Sequence, residues 1–278
     1  MAGHHDLLIE RPANADTPLG YHVFLPPAAA RRPPLVAVHG SGRGAVRLFR
    51  ALLPTCISSG TPLIAPAFTR EGFTGYQTLA GQDGPLAAQQ TLNRLLEDVC
   101  PDLGLATGTV DLLGYSGGAQ FAHRYAMAVP HNVRRLVVCS AGWYTSLEQT
   151  PYPRGSGASP ASGGRPLDVE GFLSIPVHVL VGERDLDRDA QLRTGRGIDR
   201  RQGSNRLERA LRWVDHLEDQ ARLRGLPARV SFDLLPDTGH SFTEAVHRGG
   251  LVRRAFDFLH PQPRSTGDNT SPDAARHR

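Results

Sequence analysis

Short runs of apolar residues, each closed by glycine, proline or a small polar residue, alternate along this chain with longer stretches whose apolar positions recur every three or four residues. Runs of the first kind occupy residues 21–25, 35–39, 63–67, 109–114, 135–141, 176–182 and 229–235. Most are continuously apolar rather than alternating, which is the pattern of strands covered on both faces. Stretches of the second kind read as amphipathic helices. Over 86–100, Ala88, Leu92, Leu95, Leu96 and Val99 share one face. Over 205–223, Leu207, Leu211, Val214, Leu217 and Ala221 form a stripe, with Asn205 and Glu208 spaced as a capping box. Strands alternating with helices predict an α/β domain built on a mostly parallel sheet with helices on both faces.

Two stretches fall outside this alternation. Residues 150–171 are rich in proline, glycine and serine and follow the sixth strand; they predict a long excursion over the sheet edge, either a floppy loop or a cap over a substrate. Residues 263–278 carry almost no apolar side chain and predict a disordered tail behind a single domain spanning 1–262. A chain of 278 residues, 40% apolar, is long enough to bury one large core.

Composition narrows the chemistry. The net charge of +4 comes from arginine alone, because the chain has no lysine. That excludes Schiff-base and pyridoxal-lysine enzymes, Walker A nucleotide sites and Ser-Lys pairs. The arginines are scattered among acids rather than gathered in a stripe, which argues against nucleic acid as a partner. Cys56, Cys100 and Cys139 are far apart and sit in apolar or helical surroundings, so they read as buried free thiols. The N-terminal residues mix His4, His5, Asp6 and Glu10 with few apolar ones, which fits neither a signal peptide nor a membrane span and predicts a cytoplasmic protein with no membrane partner.

The feature that carries chemistry is Gly114-Tyr115-Ser116-Gly117-Gly118, at the end of the apolar run Val110-Asp111-Leu112-Leu113. Glycines two positions to each side of a serine suit a strained strand-to-helix turn that pushes the hydroxyl outward. The following residues, 119–129, have helix-forming composition and stop at Pro130. A serine hydroxyl needs a base, an orienting carboxylate and donors for an oxyanion. His240, in Thr238-Gly239-His240-Ser241, follows the last strand and supplies the base. Asp185, just beyond the strand at 176–182, is the chosen acid, with Asp187 and Glu183 as fallbacks. The loop His39-Gly40-Ser41-Gly42-Arg43-Gly44 ends an earlier strand; the N–H of Ser41 or Gly42, with that of Gly117, would form the oxyanion hole.

The order serine, acid, histidine, with the oxyanion loop upstream, separates this arrangement from trypsin-like and subtilisin-like proteases. On His39-Gly40-Ser41-Gly42, Gly114-Tyr115-Ser116-Gly117-Gly118, Gly182-Glu183-Arg184-Asp185 and Gly239-His240, the chain resembles the α/β-hydrolase superfamily, and most its esterase branches related to polyhydroxybutyrate depolymerases. The resemblance implies an eight-stranded core, an acyl-serine intermediate and hydrolysis by water, with no cofactor or metal. The expected substrate is a small-molecule carboxylic ester of a small or medium acyl group. A thioesterase or peptidase would use the same parts, and a non-catalytic member of the fold would bind a small molecule without turnover.

Several residues carry two readings. Tyr115 is either packing beneath the elbow or a wall of the acyl pocket; Trp143 and Tyr144 either line the substrate cleft or close the core edge. His39 reads as a hydrogen-bonding support of the oxyanion loop, and His247 as a surface residue. The six arginines within 184–201 read as a self-paired solvated loop, with Arg188 or Arg193 as the alternative binders of an anionic substrate group.

Overall fold

The computed structural model describes residues 8–13, 18–26, 32–102 and 108–261. The tail expected over 263–278 and the N-terminal residues before Leu8 lie outside the described residues. Eight strands, β1 (Leu8–Arg11), β2 (Gly20–Phe24), β3 (Leu35–Val38), β4 (Leu63–Ala67), β5 (Val110–Tyr115), β6 (Val133–Cys139), β7 (Val177–Gly182) and β8 (Val230–Leu235), form one sheet in the order β1-β2-β4-β3-β5-β6-β7-β8. β1 and β2 pair antiparallel, as do β2 and β4; every later pairing is parallel. Seven of these strands fall where apolar runs predict them. The eighth, β1, is four residues ending in Glu10 and Arg11, too short and too polar to show a pattern.

Eight α-helices flank the sheet among the described residues: α1 (Ala45–Ser59), α2 (Ala87–Asp102), α3 (Gly117–Ala128), α4 (Val169–Leu173), α5 (Arg196–Gln202), α6 (Arg206–Leu223), α7 (Phe242–His247) and α8 (Leu251–Leu259). The strands' side chains alternate between two cores. Leu35, Ala37, Leu113, Val137 and Leu180 pack against α1, α7 and α8, and Val36, Val38, Leu112, Val138 and Val179 against α2, α3, α4 and α6. Burial on both faces explains the continuous apolar runs. None of the helices among the described residues is long and apolar enough to cross a membrane.

Two local expectations change. The buried face of α6 is centred on Ala210, Trp213, Val214, Leu217 and Ala221, and Leu211 is exposed. The helix is rotated because the Trp213 indole stacks on Tyr144, centroids 4.5 Å apart. Asn205 caps α6 by accepting from the Glu208 N–H at 2.9 Å, but Glu208 reaches back to the N–H of Ser204 at 2.8 Å and not to that of Asn205. The excursion over 150–171 is tied to the body of the domain by hydrogen bonds. Tyr152 donates its hydroxyl hydrogen bond to the Thr78 carbonyl at 2.9 Å, Ser156 donates to the carbonyls of Leu147 and Glu148, and Asp168 N–H bonds the Met127 carbonyl.

Candidate active site

Parallel strands bring their C-terminal ends to one edge of the sheet, and loops there can converge on a common point. Ser116 leaves β5, Asp185 follows β7 and His240 follows β8, so three distant stretches of chain meet above the sheet. The turn at Ser116 is strained, with φ 54° and ψ −112° on a non-glycine residue. Its neighbours must be small. A Cβ on Gly114 would enter the backbone of Gly118, and one on Gly118 would enter the Val38 carbonyl of the adjacent strand. The glycine spacing is therefore a consequence of α3 crossing directly over β3 and β5.

The Ser116 Oγ lies 2.9 Å from His240 Nε2, and His240 Nδ1 lies 2.9 Å from Asp185 Oδ2. A carboxylate only accepts, so Nδ1 carries the proton and Nε2 is free to accept from the serine hydroxyl. The two loops that carry the acid and the histidine are laced together: Glu183 N–H bonds the Leu235 carbonyl and Arg184 N–H the Thr238 carbonyl. A side chain on Gly182 would collide with the Thr238 carbonyl, so glycine permits this approach. Of the three candidate acids, Asp185 is fully buried and faces the imidazole. Glu183 instead accepts from the Asp237 N–H at 3.1 Å, and Asp187 is exposed.

Gly117 opens α3, so its N–H has no carbonyl partner within the helix. A Cβ on Gly117 would come 2.9 Å from the Ser41 nitrogen, which places these two candidate donors side by side next to Ser116. Ser41 Oγ accepts from Gln77 Nε2 at 2.9 Å. His39 braces the same loop, donating from Nδ1 to the Gly40 carbonyl at 2.9 Å and accepting at Nε2 from the Phe68 N–H at 3.1 Å. Burial pulls its pKa down to about 4, which keeps the ring neutral and able to accept. Arg43, at φ 61°, ties the loop to the carbonyls of Phe68 and Phe73.

The cleft over Ser116 has a volume of about 230 Å³ and is lined by residues that include Ser41, Arg47, Tyr115, Gln191, His240 and Phe242. The Tyr115 ring lies nearly parallel to the His240 imidazole, centroids 5.9 Å apart, so it both packs the elbow and faces the cleft. Trp143 and Tyr144 do not line this cleft. Trp143 is held between the guanidinium groups of Arg124 and Arg193, at 4.0 and 4.8 Å from its ring centroid, and Tyr144 stacks on Trp213. Arg188 is engaged by Asp199 at 2.9 Å, and no residue of 150–171 reaches the cleft. His247 is exposed, and no group of acids, histidines and cysteines among the described residues could hold a metal.

Three contributors escape a reading by motif. Arg206, buried at the start of α6, stands 3.5 Å from Asp185 Oδ1 and 2.8 Å from Asp189 Oδ2. Gln77 supports Ser41, and Gln191 closes one side of the cleft. Each comes from an element with no Gly-rich signature, and only the folded arrangement brings it near.

No protein-family model matches the chain, and no curated protein matches it in sequence. Solved structures do. Poly(aspartic acid) hydrolase-1 from Sphingomonas sp. KT-1 superposes with a TM-score of 0.75 at 23% identity, covering 91% of this chain and 97% of that one. The poly(3-hydroxybutyrate) depolymerase LpqC from Bordetella parapertussis gives a TM-score of 0.73 at 22% identity, covering 93% and 91%. An esterase from Pyrobaculum calidifontis gives 0.54 at 15% identity, covering 91% and 83%. The sheet order, the strand-to-helix turn at Ser116 and these superpositions agree: the chain has the α/β-hydrolase fold.

Proposed function

We propose that this protein is a serine hydrolase that cleaves carboxylic esters of small or medium acyl groups through an acyl-serine intermediate. The observation that carries this reading is the continuous hydrogen-bonded line from Ser116 Oγ through His240 to Asp185, each link 2.9 Å. In the proposed reaction, Ser116 Oγ attacks the ester carbonyl while His240 Nε2 takes the hydroxyl proton. Asp185 holds the ring and offsets the charge of the imidazolium that forms. The carbonyl electron pair moves onto oxygen, where the N–H groups of Gly117 and of Ser41 or Gly42 receive it; one such donor contributes about 3–4 kcal/mol in related chemistry. Collapse of the tetrahedral adduct breaks the C–O bond, and His240 gives its proton to the departing alcohol. A water molecule then repeats the sequence on the acyl-serine, releasing the acid and restoring the hydroxyl.

The size of the cleft, about 230 Å³, supports a compact acyl group. Structural neighbours include esterases and a depolymerase, consistent with this choice. The test is covalent. A fluorophosphonate probe is expected to label Ser116, and Ser116→Ala is expected to abolish labelling and lower p-nitrophenyl ester turnover by on the order of 10⁴-fold or more while the protein stays folded. Along a p-nitrophenyl series, turnover is expected to fall once the acyl chain outgrows the cleft. A folded protein that resists labelling would favour a binding function over catalysis.

A further inference from the structure

The cleft over Ser116 has a fixed positive charge in its wall. Arg47, on the first turn of α1, lines it beside Ser116, His240 and Phe242, and no aspartate or glutamate does so among the described residues. Asp185 stands behind His240, shared between that ring and Arg206. Of the other titratable side chains in the wall, burial keeps His39 neutral, with its pKa pulled down to about 4, and pushes the pKa of the Tyr115 hydroxyl up.

Two contacts fix where the Arg47 guanidinium lies. Its Nη2 donates to Thr243 Oγ1, and its central carbon stands 5.4 Å from the centroid of the Phe242 ring. Both partners belong to α7, which begins two residues after His240, so the charge is tied to the segment that carries the base. A guanidinium has five N–H donors, and Thr243 takes one of them. No acid stands within ion-pair distance of Arg47 among the described residues, and the positions one helical turn away hold Arg43, Gly44, Arg50 and Ala51. Arg188 and Arg193, the anion binders suggested by sequence, are engaged by Asp199 and Trp143 instead.

An arginine on open surface implies no ligand. Arg47, however, shares a cleft of about 230 Å³ with Ser116, so an ester whose carbonyl lies at Ser116 brings its substituent within a few atoms of the guanidinium. A neutral chain would strip the water from the free N–H groups and leave them facing alkyl carbon. A carboxylate would accept two parallel charge-assisted hydrogen bonds, with no acid in the wall to repel it.

We propose that Arg47 selects the substrate, and that the esters this cleft takes carry a carboxylate a few atoms from the scissile carbonyl. The proposal rests on the serine-hydrolase reading above. The anion can sit on the acyl or the alcohol side, so each is tested against a neutral ester of matching length: monomethyl glutarate against methyl pentanoate, and 3-acetoxypropanoate against propyl acetate, with acid release followed at constant pH. In at least one pair kcat/KM is expected to favour the anion by about tenfold or more, largely through KM, and the preference is expected to shrink as salt is added. Arg47→Gln, at an exposed position, is expected to lower the ratio of anionic to neutral kcat/KM about tenfold or more. The salt titration needs no variant, so the proposal stays open to refutation if Arg47→Gln folds poorly. Ratios near one in both pairs, a preference that survives Arg47→Gln or added salt, or no turnover of either anion by a protein whose Ser116 takes the fluorophosphonate label would each overturn the proposal and leave the hydrolase reading standing. A folded protein that neither labels nor turns over any of the four esters would remove the hydrolase reading, and this proposal with it.

Discussion

Asp185 is fully buried, with one oxygen on His240 and the other 3.5 Å from the equally buried Arg206 guanidinium, which also holds Asp189. Removing one partner of a buried ion pair typically costs about 3–5 kcal/mol, because the other charge is left uncompensated. The open side of Asp189 relieves part of that penalty. Arg206→Met should therefore destabilise the protein and, by loosening the carboxylate that orients His240, lower kcat by up to about 10²-fold with little change in KM. Arg206→Lys restores the charge without the fork that spans both acids, and should recover stability more fully than kcat. Thermal melts and steady-state kinetics on an ester substrate check both; a folded Arg206→Met variant with unchanged kcat would remove Arg206 from the site. Arg206 also marks the limit of legibility at this scale. Ser116, Asp185 and His240 each follow a strand and sit near a glycine that the close approach of backbones demands, so they stand out in the sequence. Arg206 lies 21 positions from Asp185 at the start of a helix, where an arginine normally faces water.

At the scale of elements, the turn between β5 and α3 shows how packing writes itself into sequence. The absence of a Cβ at Gly118 lets α3 lie directly against the Val38 carbonyl of β3, whereas a Cβ on Gly42 would meet nothing within 4 Å. Gly118→Ala should force β3 and α3 apart and, by the usual cost of overpacking, lose about 1–3 kcal/mol or fail to fold. Gly42→Ala should melt with the wild type. Equal melting temperatures for the two variants would show that the crossing has slack the geometry denies. Elements buried on a face are legible for the same reason, since β3 to β7 carry runs that only a covered strand needs, whereas edge strand β8 buries only Leu235. α5 buries no residue, and β1 is held by backbone pairing to β2, so neither leaves an apolar period to read. The order of the 150–171 excursion is equally silent, because its hydrogen bonds run through irregular turns of its own and outward to Thr78, Leu147 and Met127, and neither kind leaves a repeating pattern.

The whole molecule carries a pH dependence set by histidines that folding makes hard to protonate. Burial lowers the pKa of His39 and His260 from 6.5 to about 4, and lowers those of His123, His178 and His216 as well. Between those values and 6.5 the unfolded chain binds protons that the folded chain refuses, so stability is full above pH 6.5 and drains away on acidification. His39, fully buried, contributes a slope of up to about 1.4 kcal/mol per pH unit over this window and accounts for about 3 kcal/mol by pH 4. One group pulls the other way. Asp111, whose pKa burial raises from 3.8 to about 6, binds a proton in the folded state first, and returns some stability below pH 6. Five histidines against one carboxyl leave a net loss, so urea midpoints measured at pH 7.5, 6.5, 5.5 and 4.5 should stay level over the first step and fall with increasing steepness afterwards. A midpoint that is flat from pH 6.5 to 4.5 would mean that these rings reach water in the folded protein, and with them the His39 brace beneath the loop of residues 39–44.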